Sequence, residues 1–290
     1  RHQHHRHCCG SEGNPVSTSV PAGMHPRLHR AYSRHVEGLT RIGTQSQFYF
    51  TTIAGIRDAL VHYKGETVRL IAQMSLGPGA LAIIGGTVVI VGFLTLSTGA
   101  LVAVQGDNQF ANVGVEALTG FASAFFNVRL IAPVIAGIAL AATIGAGATA
   151  QLGAMRINEE IDALESLGIN PIAYVVGTRI AAGMIVIAPL YAIALIASFA
   201  ACRFTTVVLL GQSSGLYAHY FTTFLNPLDL VWSFVQAFVM ALLILLIHTY
   251  FGFFASGGPS GVGVAVGDAV RTSLVAVGTV RLASMLSTTR

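Results

Sequence analysis

Charge is what this chain has least of. Of its 290 residues only 10% are charged, while 53% are hydrophobic, with a mean hydropathy of +0.69. A soluble domain usually carries about 25% charged residues, so a soluble globular class is excluded. Lysine is almost absent. Lys64 is the sole example, and it follows His62-Tyr63, so it cannot complete the Gly-x-x-x-x-Gly-Lys-Ser/Thr loop that cradles nucleotide phosphates. Cysteine is equally scarce: Cys8 and Cys9 are adjacent and Cys202 stands alone, which implies no disulfide framework. There is no His-Glu-x-x-His and no Gly-x-Ser-x-Gly. Downstream of His62 the only histidines are His219 and His248, too far apart in sequence to suggest a metal site. His248 falls within an apolar run, where a helix-packing hydrogen bond is the expected role. Ionisable groups inside the apolar runs are too few for a proton-relay chain. A membrane part whose energy source is another chain is what remains.

What the chain has in abundance is long uncharged sequence. Residues 80–104 (Ala80 to Val104) carry no charge and reach roughly 37 Å as a helix, enough to cross a bilayer with tilt. Further spans are expected at about 130–155, 172–202, 228–254 and 262–287. The runs are continuous rather than alternating, so helices and not a barrel are expected. The last run is interrupted by Asp268, Arg271 and Arg281, and reads as a span screened from lipid by its neighbours. The second carries Gly137, Ala141, Gly145, Thr149 and Gly153 at intervals of four, a ridge that lets another helix approach closely. Pro189 should kink the third span, and Trp232 belongs at an interface. Ahead of the spans, residues 1–44 read as a flexible His-rich and basic tail. Residues 45–75 read as an amphipathic helix in the membrane interface, with Phe48, Ile53, Ile56, Leu60 and Tyr63 near one face. Nine of the sixteen Lys plus Arg residues lie at or before Arg69, which places the N-terminus in the cytoplasm. The fold class expected is therefore an all-α membrane protein: an interfacial helix and about five transmembrane helices.

Four of the twelve acidic residues crowd into one connection, Asn158 to Pro171, between the second and third spans. Asn158 is a candidate N-cap, and Glu159, Glu160 and Asp162 would sit in the first turn, where the helix dipole favours negative charge. Ile161, Leu164 and Leu167 recur every three residues and give a short apolar stripe. Gly168 and Pro171 are the expected stop signals. A compact amphipathic helix of about three turns follows, over about 158–168, held on the cytoplasmic surface. A solvated acidic loop is the plain alternative; the capped and stopped design favours a docking surface for a soluble partner.

Residues 142–179, ATIGAGATAQLGAMRINEEIDALESLGINPIAYVVGTR, closely resemble the signature of the MlaE/YrbE permeases, membrane subunits of ABC transporters that work with MCE-domain proteins. The matching positions are Gly145, Leu152, Gly153, Met155, Glu160, Ile161, Asp162, Ala163, Leu164, Gly168, Pro171 and Arg179. The resemblance extends over roughly 76–286, through Val104-Gln105-Gly106, Arg129 with Pro133, Tyr250-Phe251-Gly252 and the Gly257–Gly263 turn. More narrowly, the chain looks like a B-type YrbE subunit of an actinobacterial Mce system. Three positions depart from the family pattern: Thr143 where an Arg is usual, Gln151 where a Glu is usual, and Arg129-Leu130 where Arg-Glu is usual. Loss of a buried Arg and Glu together is self-consistent, and favours pairing with a different, more typical subunit.

The resemblance implies a transport subunit rather than an enzyme, in the cell inner (plasma) membrane. It implies a second YrbE-type permease subunit, and a cytoplasmic ABC ATPase dimer that uses ATP and Mg while this chain binds no cofactor. It implies a hexamer of MCE-domain proteins on the outer side, and membrane lipids as cargo, imported fatty acids or sterols among them; no nucleic acid is involved. Glu159, Glu160, Asp162, Ala163, Leu164, Gly168 and Pro171 would make the ATPase contact. Gly137, Ala141, Gly145 and Gly153 would pack helices, and Arg179 would anchor the connection to lipid phosphates or to the acidic helix. A membrane scaffold that holds ATPase and MCE proteins without lining the substrate path is the alternative from another class.

Overall fold

Uncharged sequence in a bilayer has to satisfy its own backbone, and the computed structural model does so with helices throughout its described residues, 26–76, 87–112, 114, 115 and 118–288. The chain divides into two units, residues 1–46 and 47–290. Helix α1 runs over Pro26–His62 and α2 over Lys64–Leu76. The expected flexible tail, residues 1–44, is thus helical from Pro26. Leu28, Tyr32, Val36 and Leu39 recur every three or four residues, a helical period masked by the many intervening basic residues. Residues 1–25 of the expected tail lie outside the described residues. The amphipathic segment is two helices rather than one, divided at Tyr63, whose ring meets Tyr174 edge-on at 5.0 Å. Phe48 is buried among Tyr250, Phe253 and Phe254.

Among the described residues, five helices are long and apolar enough to cross a membrane. These are α3 (Thr87–Ala111), α4 (Thr119–Ile157), α6 (Ile172–Leu209), α8 (Pro227–Phe253) and α9 (Gly258–Thr288). Residues 80–86 of the expected first span lie outside the described residues. Helix α3 runs on beyond Val104, the expected end of the span, to Ala111, and in that extension Asp107 accepts a 2.6 Å hydrogen bond from Gln212 Nε2. Helix α4 begins eleven residues earlier than the apolar run, and α6 ends seven later. Each extension contains π-helical turns, at Ser123–Ile131 and Thr205–Leu209. The 203–227 connection also holds a helix, α7 (Ser214–Phe224), whose Tyr217 is buried and donates to Ser123 Oγ at 3.0 Å. Asn226 caps α8 through the Leu228 amide at 3.0 Å, and Pro227 opens it.

The small-residue ridge of α4 meets α8 and α9. A Cβ on Gly137 would lie 3.4 Å from Val277, on Gly145 2.6 Å from the His248 ring, and on Gly153 2.8 Å from Val262. These glycines let three helices close on one another. His248 is fully buried there. Its Nδ1 lies 2.8 Å from Thr149 Oγ1 and its Nε2 3.3 Å from Ser273 Oγ, so one imidazole links α4, α8 and α9. Toward the opposite end of the spans, Tyr191 and Ser233 share a short hydrogen bond, Ser233 donates to the Val128 carbonyl at 2.9 Å, and Ser198 donates to Asn127 Oδ1 at 2.9 Å. Buried polar groups thus tie α4, α6 and α8 at one end and α4, α8 and α9 at the other.

Candidate functional site

Between α4 and α6 lies helix α5, Glu160–Ser166, two turns long. Its entry differs from expectation. Asn158 is not the N-cap; it closes α4, its amide bonding to the Ala154 carbonyl at 3.1 Å. The residue ahead of α5 is Glu159, which adopts a left-handed conformation (φ 59°) and makes no side-chain cap. It is the only non-glycine residue with positive φ among the described residues. Such a backbone costs about 1–2 kcal/mol outside glycine, and strain of this kind gathers where a local geometry is needed. Here it turns the chain sharply from α4 into α5.

The exit is a Schellman motif. Gly168 sits at φ 75°, its amide bonds to the Glu165 carbonyl at 2.9 Å, and the Ile169 amide bonds to the Leu164 carbonyl at 3.1 Å. Pro171 does not stop α5. It stands at the start of α6, and Asn170 caps that helix, accepting from the Ile172 and Ala173 amides at 3.1 and 3.4 Å. Pro at the first position of a helix leaves no amide orphaned.

Of the expected apolar stripe only Ile161 is fully buried, in the core cluster that includes Val176 and Ile180. Leu164 is half-buried and Leu167 is 73% exposed. Glu159, Glu160, Asp162 and Ala163 are exposed as well. Asp162 is not free: Arg156 at the end of α4 donates to its Oδ1 at 2.6 Å. The helix is therefore pinned on one side by Ile161 and Arg156, and presents Glu159, Glu160 and Leu167 outward. Leu167, the last member of the expected apolar stripe, is thus part of the outward face. Its place beside a glycine terminator was the sequence signal, since a short helix buries one stripe residue per turn and the last turn overhangs.

Arg179 turns inward rather than toward lipid or α5. It is 7% exposed, donates Nη1 to the Val175 carbonyl at 2.8 Å, and points Nη2 at Met155 Sδ, 3.5 Å away. It staples the start of α6 to the end of α4.

The opposite end of the spans holds a cavity of about 590 Å³ between α4, α8 and α9. Phe125, Phe126, Leu130, Trp232 and Met285 give it apolar walls. Two cations sit in it. Arg129 places Nη2 2.8 Å from both carboxylate oxygens of Asp229 and stacks over the Phe125 ring at 4.7 Å. Arg281 donates to Gln236 Oε1 at 2.8 Å. The Nε of each arginine is shielded and without a partner. Asp229 neutralises Arg129, so Arg281 leaves the cavity with a net positive charge. Residues 129 and 229 lie a hundred positions apart, and only the span count, which brings both to the same membrane face, could have paired them. A second groove of about 700 Å³ lies between α6 and α7, lined by Phe199, Phe204, Val208 and Phe221 with Arg203 at its edge. No group of three or more His, Cys, Asp or Glu residues able to hold a metal occurs among the described residues.

Residues 78–286 match the family described as Permease MlaE. A probable ABC transporter permease protein of Rickettsia conorii is 28% identical over 84% of this chain and 90% of its own length. One of a Synechocystis strain is 30% identical over 71% of this chain and 76% of its own. The chloroplast protein trigalactosyldiacylglycerol 1 of Arabidopsis thaliana is 28% identical over 60% of this chain, which spans half of that protein. The match takes in all five spans, α5 and the cavity between α4, α8 and α9, and the chain belongs to the MlaE permease family.

Proposed function

We propose that this chain is the membrane subunit of an ABC transporter that moves lipids, energised by a separate ATPase that docks on α5. The observation that carries the reading is α5 itself. A two-turn helix with a strained entry and a Schellman exit presents Glu159, Glu160 and Leu167 to solvent while Ile161 and the Arg156–Asp162 pair hold its base. A rigid knob of one apolar and two acidic side chains suits a soluble partner with a basic-rimmed apolar pocket. The similarity to proteins named as ABC transporter permeases supports that partner being an ATPase dimer that uses ATP and Mg. The galactolipid in the Arabidopsis relative's name supports lipid as cargo. So does the outer cavity, which offers apolar walls and a cationic end to an amphiphile. In this reading a second permease subunit completes the path, a hexamer of MCE-domain proteins caps the outer face, and the N-terminus faces the cytoplasm of the inner (plasma) membrane. The B-type YrbE likeness supports import of fatty acids or sterols.

The test is co-purification of the tagged full chain with its ATPase in detergent. Leu167→Glu and Glu160→Lys should each abolish retention of the ATPase and lipid uptake, while the melting temperature of the chain stays unchanged, because neither side chain packs. Retention of the ATPase by the double variant would overturn the reading.

A further inference from the structure

Helices α6 and α7 carry no acidic residue, and none occurs anywhere between Glu165 and Asp229. Arg203, near the far end of α6, is exposed and belongs to none of the ion pairs among the described residues. Its counter-charge must therefore come from outside these helices. Arg203 stands at the edge of the groove of about 700 Å³ between α6 and α7, which shares no lining residue with the cavity that holds Arg129 and Arg281. The floor of the groove is aromatic and preformed. Phe199 meets Phe221 edge-on at 5.1 Å, and Phe221 stacks on the buried Tyr217 at 5.9 Å.

Depth and width decide what can fill it. Residues 180–202 of α6 are uncharged, so Arg179 and Arg203 lie about 36 Å apart along the helix. A hydrocarbon core is about 30 Å thick. With Arg179 at the boundary near α5, Arg203 reaches the headgroup layer at the other. Ile196, 67% exposed on the rim of the groove, lies about 10 Å closer to the bilayer centre. Over the roughly 18 Å from Ile196 to Val208, a volume of about 700 Å³ gives a mean cross-section of about 40 Å². An α-helix with its side chains occupies roughly 80 Å², so the groove is too slim to seat a partner's span and suits hydrocarbon chains.

We propose that this groove is a binding site for a bilayer phospholipid with a net anionic headgroup. The phosphate lies on the Arg203 guanidinium, and one acyl chain runs along Ile196, Phe199 and Ala200 over the aromatic floor. A charge-assisted bond from guanidinium to phosphate supplies the counter-charge that α6 and α7 lack. Each methylene buried against the floor adds to the hold. A zwitterionic headgroup binds less well, because its ammonium opposes the arginine. The site is distinct from the cavity between α4, α8 and α9, and a lipid here is a resident of the fold whether or not that cavity carries cargo.

The test is photo-crosslinking of the full chain in nanodiscs of phosphatidylcholine with a minority of phosphatidylglycerol. Benzoylphenylalanine is placed at position 196 and, as a control, at position 101 on the exposed apolar face of α3. Mass spectrometry of the adducts reads which lipid is captured. Position 196 should capture phosphatidylglycerol about tenfold above its share of the membrane, as one charge-assisted bond allows, and position 101 should capture both lipids in bulk proportion. Arg203→Gln should abolish the enrichment at 196 and Arg203→Lys should retain most of it, with helical circular dichroism unchanged in both because the side chain is exposed. Capture in bulk proportion at 196, or enrichment that survives Arg203→Gln, would overturn the proposal. So would capture of a peptide at 196 when the same label is used in the intact complex in membranes, since a protein partner would then fill the groove.

Discussion

Gly145→Ala tests the packing of α4 on α8 at its tightest point. The new Cβ would lie 2.6 Å from His248 Cδ2 and 2.8 Å from Nε2. Ordinary contact needs 3.5–4 Å, so the ring must retreat by about 1 Å. That movement stretches both of its hydrogen bonds, 2.8 Å to Thr149 and 3.3 Å to Ser273. Overpacking costs about 1–3 kcal/mol, and each intramembrane hydrogen bond averages about 0.6 kcal/mol. Alanine returns about 1 kcal/mol through helix propensity. The expected net loss is about 1–3 kcal/mol, since the three effects oppose one another only in part. The assay is unfolding of the purified chain in mixed micelles with rising SDS, followed by circular dichroism. The diagnostic arm is the His248→Ala background, where the clash is gone and the same Gly145→Ala change should stabilise by about 1 kcal/mol. An equal cost in both backgrounds would refute the reasoning, because the penalty would then lie in the backbone of α4 and not against the ring.

Three other predictions concern single groups. Glu159→Gly removes the left-handed strain and should raise stability by about 1 kcal/mol, measured by the same unfolding assay, while weakening ATPase retention through loss of an outward carboxylate. The chain's only tryptophan, Trp232, lines the cavity between α4, α8 and α9. A brominated fatty acid in non-quenching detergent should therefore quench its fluorescence saturably, with an anionic headgroup preference lost in Arg281→Gln; unsaturable quenching would place the amphiphile elsewhere. Tyr49 in α1 is pushed up to about 12 by burial and by the nearby Tyr250. Its folded pKa lies above its unfolded value of 10, so its contribution is fully present below pH 10 and is lost as pH rises toward 12. The melting temperature should fall between those limits and fall less in Tyr49→Phe.

The spans were legible because an uncharged run of twenty or more residues has one solution in lipid. Their ends were not, because the residues that extend them are satisfied by partners far away in sequence. Asp107 stays helical on meeting Gln212, and Arg129 on meeting Asp229. A local window sees each as a breaker. Helix α7 escaped for the same reason: Tyr217 is buried by Ser123, ninety-four residues away. The acidic connection was legible as a short helix from its charge, its apolar residues and Gly168, and the backbone then reassigned three of its parts. Asn158 ends α4, Pro171 opens α6, and Glu159 supplies the turn. A positive φ leaves no mark in sequence unless glycine occupies it, so Glu159 read as first-turn charge when it is hinge and charge together. That double role explains the shape of the site. The left-handed turn shortens α5 to two turns and leaves room for one buried anchor, Ile161. Leu167, one stripe position beyond Leu164, overhangs into solvent. The Gly168 stop leaves Leu167 as the apolar knob at the C-terminal end of α5, while Glu159 sets the turn by which α5 leaves α4 at the other.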